Sequence, residues 1–383
     1  MGSFKRFVVQ NNRLLLIAVL AFLLNQGFEF SILSAKGASY TDLCQWDCPW
    51  YARTVNYGYD FAPHGHERGD AANWAFFPAL TIAARSLVAL FDFSAPVALL
   101  ITSKVFFLLA IISFLKLCEL YAPRVSPALC AAVLSFNPYS LYGNVGYTES
   151  LFLFFTCLSF IALKRERFVG AGLAGAVLSA VRPTGVFVTL ALMVSSAQRW
   201  SVVGDAERLR MILGGLLAPL GLGLFMMFLY FRMGDAMAFS HVQVAWERTP
   251  SNPFAHLLNG LIAATPLSML WVLMSLGALA MAAYLAISKE YAMAAFSLCA
   301  TLIPLATGLV AMPRYLWWQA PLLLVLVRLL SGAVTRAKQL VTTKNLSQHS
   351  RFEPPYWAVL LPLSLWGLHR TYTGWLLQET FII

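Results

Sequence analysis

The sequence predicts an all-α polytopic membrane protein, and three observations predict it. Of the 383 residues, 59% are hydrophobic and only 11% charged, and the mean hydropathy is +0.70, which excludes an ordinary soluble domain. The apolar residues fall in runs near the roughly 20 residues that an α-helix needs to cross the hydrocarbon core. The Lys and Arg residues behind the net charge of +10 cluster in short loops between those runs, a topology signal rather than a nucleic-acid footprint. Residues 1–383 read as one integral membrane domain, and no nucleic-acid partner is expected.

The elements follow in order. Lys5, Arg6 and Arg13 precede Leu14 to Leu33, too long for a signal-peptide core, so this run reads as a retained first span with the N-terminus inside. Residues 34–97 form the first external loop. Within it, CQWDCPWYARTVNYGYD, Cys44 to Asp60, reads as a short amphipathic helix ending at Gly58. Cys44 and Cys48 are one helical turn apart; a bridge there closes almost no loop, and unpaired thiols are expected. The other four cysteines sit in apolar runs as small hydrophobes. Asn73 to Phe91 is apolar but short and contains Arg85. A full crossing would put Lys164, Arg165 and Arg167 outside, so an interfacial or re-entrant segment is expected.

The later spans are then Ala98 to Leu120, Pro127 to Gly143, Thr148 to Leu163, Val169 to Arg182, Pro183 to Gln198, Met211 to Phe231, Leu258 to Ile287, Tyr291 to Met312, Tyr315 to Leu330 and Trp357 to Leu377. This gives about 11 transmembrane helices with the C-terminus outside. Thr335 to Pro354 reads as an inside linker, and it contains Asn345-Leu346-Ser347, the one glycosylation sequon. With that placement and the compact length, a bacterial inner membrane is favoured, with the endoplasmic reticulum as the alternative. No inverted repeat of the kind that marks many transporters is evident. The basic residues left outside point to an anionic ligand.

The chemistry-bearing residues lie at the outer ends. Asp47, set between Trp46 and Trp50, can accept a proton from an attacking hydroxyl; an N-cap or a partner of Arg53 is the structural alternative. Trp46 and Tyr51 are placed beside it as substrate-binding residues. NPYSLYGNVGYTES, Asn137 to Ser150, breaks helix at Pro138 and two glycines and carries Tyr147 and Glu149. Glu149 is costly at a membrane boundary unless solvated or paired, or it serves as a helix-dipole partner. Arg182 before Pro183 suits a buried phosphate, or it snorkels to the interface. Arg314 and Tyr315 in MPRYLWWQAP repeat that arrangement. The loop from Arg232 to Ala255 supplies His241, Gln243, Trp246, Glu247 and Arg248, of which Trp246 and Arg248 are assigned to substrate. His64, His66 and Glu67 invite a metal reading, but no further ligand is placed, and no metal or other cofactor is assigned.

Three of these segments resemble the PIG-V type mannosyltransferases, of which the eukaryotic members are GPI mannosyltransferase II-like. QWDCPWYARTVNYGYD with NWAFFPAL resembles that family's tryptophan-aspartate first-loop motif and its phenylalanine-proline segment. NPYSLYGNVGYTESLFLFF is similar to its asparagine-proline, tyrosine and glutamate-serine motif, and VRPTGV to its arginine-glycine element. The resemblance spans about Gln45 to Val186; beyond it only W-E-R near Trp246 and R-Y at Arg314 match. It implies the GT-C fold and an inverting glycosyltransferase that uses a polyprenyl-phosphate-linked sugar donor, with the acidic role falling on Asp47 and mannose as the sugar. The acceptor is left open among a lipid, a glycan and a protein. A lipid-linked saccharide transporter or flippase, or a noncatalytic subunit, is the alternative. Transport predicts paired polar residues deep within spans, for which Lys104 and Arg182 are the main candidates.

Overall fold

The structure is a computed structural model that describes residues 2–66, 69–344 and 357–379. Its helices are, in chain order, α1 (Gly2–Lys36), α2 (Asp47–Tyr57), α3 (Pro78–Phe91), α4 (Ala95–Tyr121), α5 (Pro127–Ser135), α6 (Glu149–Lys164), α7 (Phe168–Val181), α8 (Val188–Arg199) and α9 (Asp205–Leu217). They continue with α10 (Leu220–Met233), α11 (Ala238–His241), α12 (Pro253–Ala263), α13 (Pro266–Ile287), α14 (Tyr291–Leu305), α15 (Met312–Trp317), α16 (Ala320–Lys344) and α17 (Trp357–Leu376). Among the described residues, four stretches are long and apolar enough to cross a membrane: Asn11–Lys36, Ala95–Tyr121, Asp205–Met233 and Pro266–Ile287. Leu16, Leu24 and Phe30 of α1 and Leu216, Leu224 and Phe231 of α9 and α10 stand exposed. Such faces belong against lipid.

Several expected spans are interrupted, each for a local reason. Pro127 to Gly143 is helical only through α5, whose 9 residues rise about 14 Å. Asn137 then caps a 3₁₀ turn over Pro138–Gly143 by accepting from the Tyr139 N–H at 2.8 Å. Leu258 to Ile287 is two helices, because Ala264 adopts a left-handed φ of 50° and Pro266 cannot continue the preceding helix. The Met211 to Phe231 run divides at Pro219. The first loop also holds a small ribbon that the sequence reading lacks, β1 (His64–His66) and β2 (Gly69–Ala71), antiparallel with His64 opposite Ala71. Glu67 lies outside the described residues.

Close helix packing depends on glycine. A Cβ at Gly172 of α7 would come within 2.4 Å of the Gly214 carbonyl oxygen of α9, so only small residues let these two backbones meet. Elsewhere a buried polar network ties α1, α4 and α17 to the 3₁₀ turn. Lys104 of α4 is paired with Glu29 of α1 and donates to Gln26 Oε1 at 2.7 Å. Tyr372 of α17 donates to Glu29 Oε2 at 2.7 Å, and Asn144 donates to Tyr372 Oη at 3.1 Å and Asn25 Oδ1 at 3.0 Å. Every one of these residues except Gln26 is buried. Charges at such depth persist only when paired and hydrogen-bonded.

Candidate active site

One end of the bundle gathers residues from five separate segments. Asp47 opens α2, Glu149 opens α6, Arg182 lies between α7 and α8, Arg248 follows α11, and Arg314 with Tyr315 lies in α15. The segment before α2 sets the first of these. Trp46 has a φ of 57°, a conformation that a bulky residue holds only under constraint. The sharp turn there leaves Cys44 and Cys48 with Cα atoms 5.1 Å apart and joined by a disulfide. The expectation of free thiols is therefore corrected: it assumed a continuous helix, whereas Gln45 and Trp46 are not helical.

Asp47 is half-buried and meets Arg314, whose Nη2 lies 2.7 Å from Asp47 Oδ2. Arg53, its alternative partner from sequence, instead pairs with Asp60 at 3.0 Å. The Arg314 Nε donates to Glu149 Oε1, and Arg182 Nη2 approaches the same oxygen. Glu149 is fully buried, and both arginines are 7% exposed. Arg182 is thus no snorkelling residue. Its Nε donates to Thr148 Oγ1 at 2.7 Å.

Tyrosines line this charge chain. Tyr147 Oη accepts from the Asp47 N–H at 3.0 Å and donates to the Gln45 carbonyl at 3.3 Å, and its ring centroid lies 4.5 Å from the Arg314 guanidinium. Arg248 donates to Tyr315 Oη at 2.6 Å, and the Arg182 guanidinium stands 5.4 Å from the Tyr315 ring. Arg314 lies 5.8 Å from the same ring, so three guanidiniums surround the Tyr315 phenol. Three guanidiniums and two carboxylates leave one positive charge in excess.

An aromatic wall stands beside the charges. Trp50 stacks on Phe76 at 5.7 Å between ring centroids and meets Trp246 edge-on at 5.4 Å. Tyr51, 5% exposed, packs its ring edgewise on Phe76. The Trp46 Nε1 and Gln45 Oε1 atoms are buried here with no hydrogen-bond partner among the described residues.

Every residue assigned to the site from sequence, Asp47, Trp46, Tyr51, Tyr147, Glu149, Arg182, Trp246, Arg248, Arg314 and Tyr315, falls in or against this cluster. His241 of the same loop as Trp246 pairs instead with Asp235 in an exposed position. Among the described residues no group of three metal-binding side chains occurs. Sequence reading missed Thr148, Gln45 and Phe76 as neighbours of the charges, and it set Trp50 beside Asp47 without assigning it to substrate. It missed Glu29 as well, although an acidic residue within an apolar run is itself a signal of a paired intramembrane charge.

The chain matches the family described as mannosyltransferase (PIG-V) over residues 11–255. That range includes Asp47, Glu149, Arg182 and Arg248 and stops short of Arg314 and Tyr315. Among solved structures, the apo oligosaccharyltransferase of Archaeoglobus fulgidus aligns at a TM-score of 0.50 with 14% identity, over 96% of this chain and 56% of that one. ArnT from Cupriavidus metallidurans, solved with undecaprenyl phosphate, aligns at 0.47 with 14% identity over 95% and 76% of the two chains. AglB from Archaeoglobus fulgidus, solved with an inhibitory peptide and a dolichol-phosphate, aligns at 0.45 with 12% identity over 98% and 56%. The chain spans about half the length of these archaeal oligosaccharyltransferases. The fold is that of the GT-C membrane enzymes. No curated protein sequence matches the chain.

Proposed function

The chain belongs to the mannosyltransferase (PIG-V) family, and from that premise and the site we propose that it is a membrane glycosyltransferase. It moves mannose from a polyprenyl-phosphate donor to an acceptor hydroxyl on the outer or lumenal face. The observation that carries this reading is a single half-buried carboxylate, Asp47, held 2.7 Å from Arg314 at the edge of a three-arginine cluster. A base beside an anion site is what displacement of a phosphate from an anomeric carbon needs.

In the proposed step the acceptor oxygen attacks the anomeric carbon as the carbon–oxygen bond to phosphate breaks, with inversion. The hydroxyl proton passes to Asp47, and the bonding electrons leave on the polyprenyl phosphate. Arg314, Arg182 and Arg248 stabilise that charge through charge-assisted hydrogen bonds. Arg314 serves Asp47 until a donor phosphate offers it a second anion, so donor binding and release of the base are coupled. The unpartnered Trp46 Nε1 and Gln45 Oε1 provide one donor and one acceptor for sugar hydroxyls, and Trp50, Phe76 and Trp246 provide apolar ring faces. The lipid tail lies in an apolar groove between spans.

The Glu29–Lys104 pair is what a transporter would need, yet its hydrogen bonds close on Gln26 and Tyr372, which favours bracing over passage. The test is transfer of radiolabel from polyprenyl-phosphate-mannose to membrane acceptors by wild-type and Asp47→Asn protein. The variant should lose about 10²–10⁴-fold in rate; undiminished labelling by a folded variant would sink the assignment of the base.

A further inference from the structure

At the far end of the helices that build the site lies a cavity of about 330 Å³. Helix α6 runs from Glu149 in the site to Lys164 in the cavity over 16 residues, about 24 Å. Helix α7 runs from the cavity toward Arg182, α8 returns to it at Arg199, and α14 starts from it at Tyr291. The cavity therefore lies at the opposite end of these helices from the site, and it stands independently of the catalytic reading.

Its charges are unevenly matched. Arg199 grips Glu166 with two bonds of 2.6 and 2.7 Å, and Arg328 lies 3.8 Å from Glu290. Both carboxylates in the lining thus have arginine partners. Lys164 and Lys289, also in the lining, have no carboxylate partner among the described residues. The Lys164 ammonium instead lies 4.6 Å from the Tyr121 ring centroid.

The cavity floor is apolar. Phe160, Phe168 and Met293 are each at most 2% exposed. From its rim an exposed apolar strip continues along one face of α14 through Tyr291 and Leu298, seven residues apart. Two ammoniums over an aromatic-edged cleft, opening onto a lipid-facing strip, match an amphiphile whose phosphate sits at headgroup depth. A soluble anion would have no use for the strip.

We infer that this cavity seats the headgroup of an anionic phospholipid, its phosphate on Lys164 and Lys289 and its first acyl carbons along Tyr291 and Leu298. The test uses the full chain in neutral detergent, titrated with phosphatidylglycerol, with phosphatidylcholine of the same chains, and with inorganic phosphate. Retained lipid is counted by native mass spectrometry and the thermal midpoint is followed.

Phosphatidylglycerol alone should remain bound and raise the midpoint. Lys164→Gln and Lys289→Gln, both exposed positions, should each weaken it about fivefold and the double variant abolish it, while Arg210→Gln, on an exposed face elsewhere, leaves it unchanged. Equal retention of phosphatidylcholine, an equal response to inorganic phosphate, or retention by the folded double variant would each overturn the inference. If the double variant does not fold, the two single variants decide it.

Discussion

Tyr315 shows how far one side chain's environment can depart from its residue type. It donates nothing to a carboxylate and instead accepts from Arg248 at 2.6 Å, with Arg182 and Arg314 close by. Tyr315→Phe removes that acceptor and frees Arg248 to leave the cluster, so on the proposed reading the donor KM is expected to rise about tenfold with kcat little changed. An unchanged donor KM would show that Arg248 holds its place without the phenol. Asp47 and the arginines were legible as residues because a charge among apolar runs stands out. Their pairing was not: Arg53 was the one partner the sequence offered Asp47, and only the folded chain brings Arg314 there.

At the scale of elements, the turn before α2 and the turn before α6 lock one another. Gly146, at a φ of 78°, has no room for a side chain, since a Cβ would stand 2.7 Å from Cys48 Sγ. The bridged turn bearing Asp47 thereby packs, through Cys48 Sγ, against the segment bearing Tyr147 and Glu149. The disulfide's closed loop is short, and its contribution to global stability is about 2 kcal/mol or less. Removing it by Cys44→Ser with Cys48→Ser should lower the thermal midpoint by only a few degrees. Transfer should fall by about 10²-fold, because Asp47 loses its placement; equal activity with and without the bridge would show that the turn holds unaided. The amphipathic pattern of Cys44 to Asp60 announced α2 and its end at Gly58, but a positive φ at Trp46 has no sequence signature, which is why the bridge went unforeseen.

Across the whole molecule, the Glu29–Lys104 pair braces α1 against α4 and, through Tyr372 and Asn144, holds α17 beneath the turn that leads to Glu149. Neutralising one partner strands a buried charge, which costs on the order of 3–5 kcal/mol. Glu29→Gln and Lys104→Met should each be strongly destabilising, and the double variant should recover most of the loss in a thermal double-mutant cycle; simple additivity would show that the two charges do not couple. The interfacial placement of residues 73–91 is tested at the same scale. A cysteine introduced beside Lys164 should resist impermeant reagents added from the outer face, and labelling there would make α3 a full crossing. The sequence by itself determined that this is a helical membrane protein, which residues are chemically unusual, and which family they resemble, because hydrophobic runs and local motifs are properties of neighbouring residues. Only the tertiary structure decided that Asp47, Glu149, Arg182, Arg248 and Arg314 form one cluster and that Cys44 reaches Cys48. Those contacts depend on the positive φ at Trp46 and on the helix break over Asn137–Gly143 that leads to Glu149, where packing between distant segments overrides what any local run prefers.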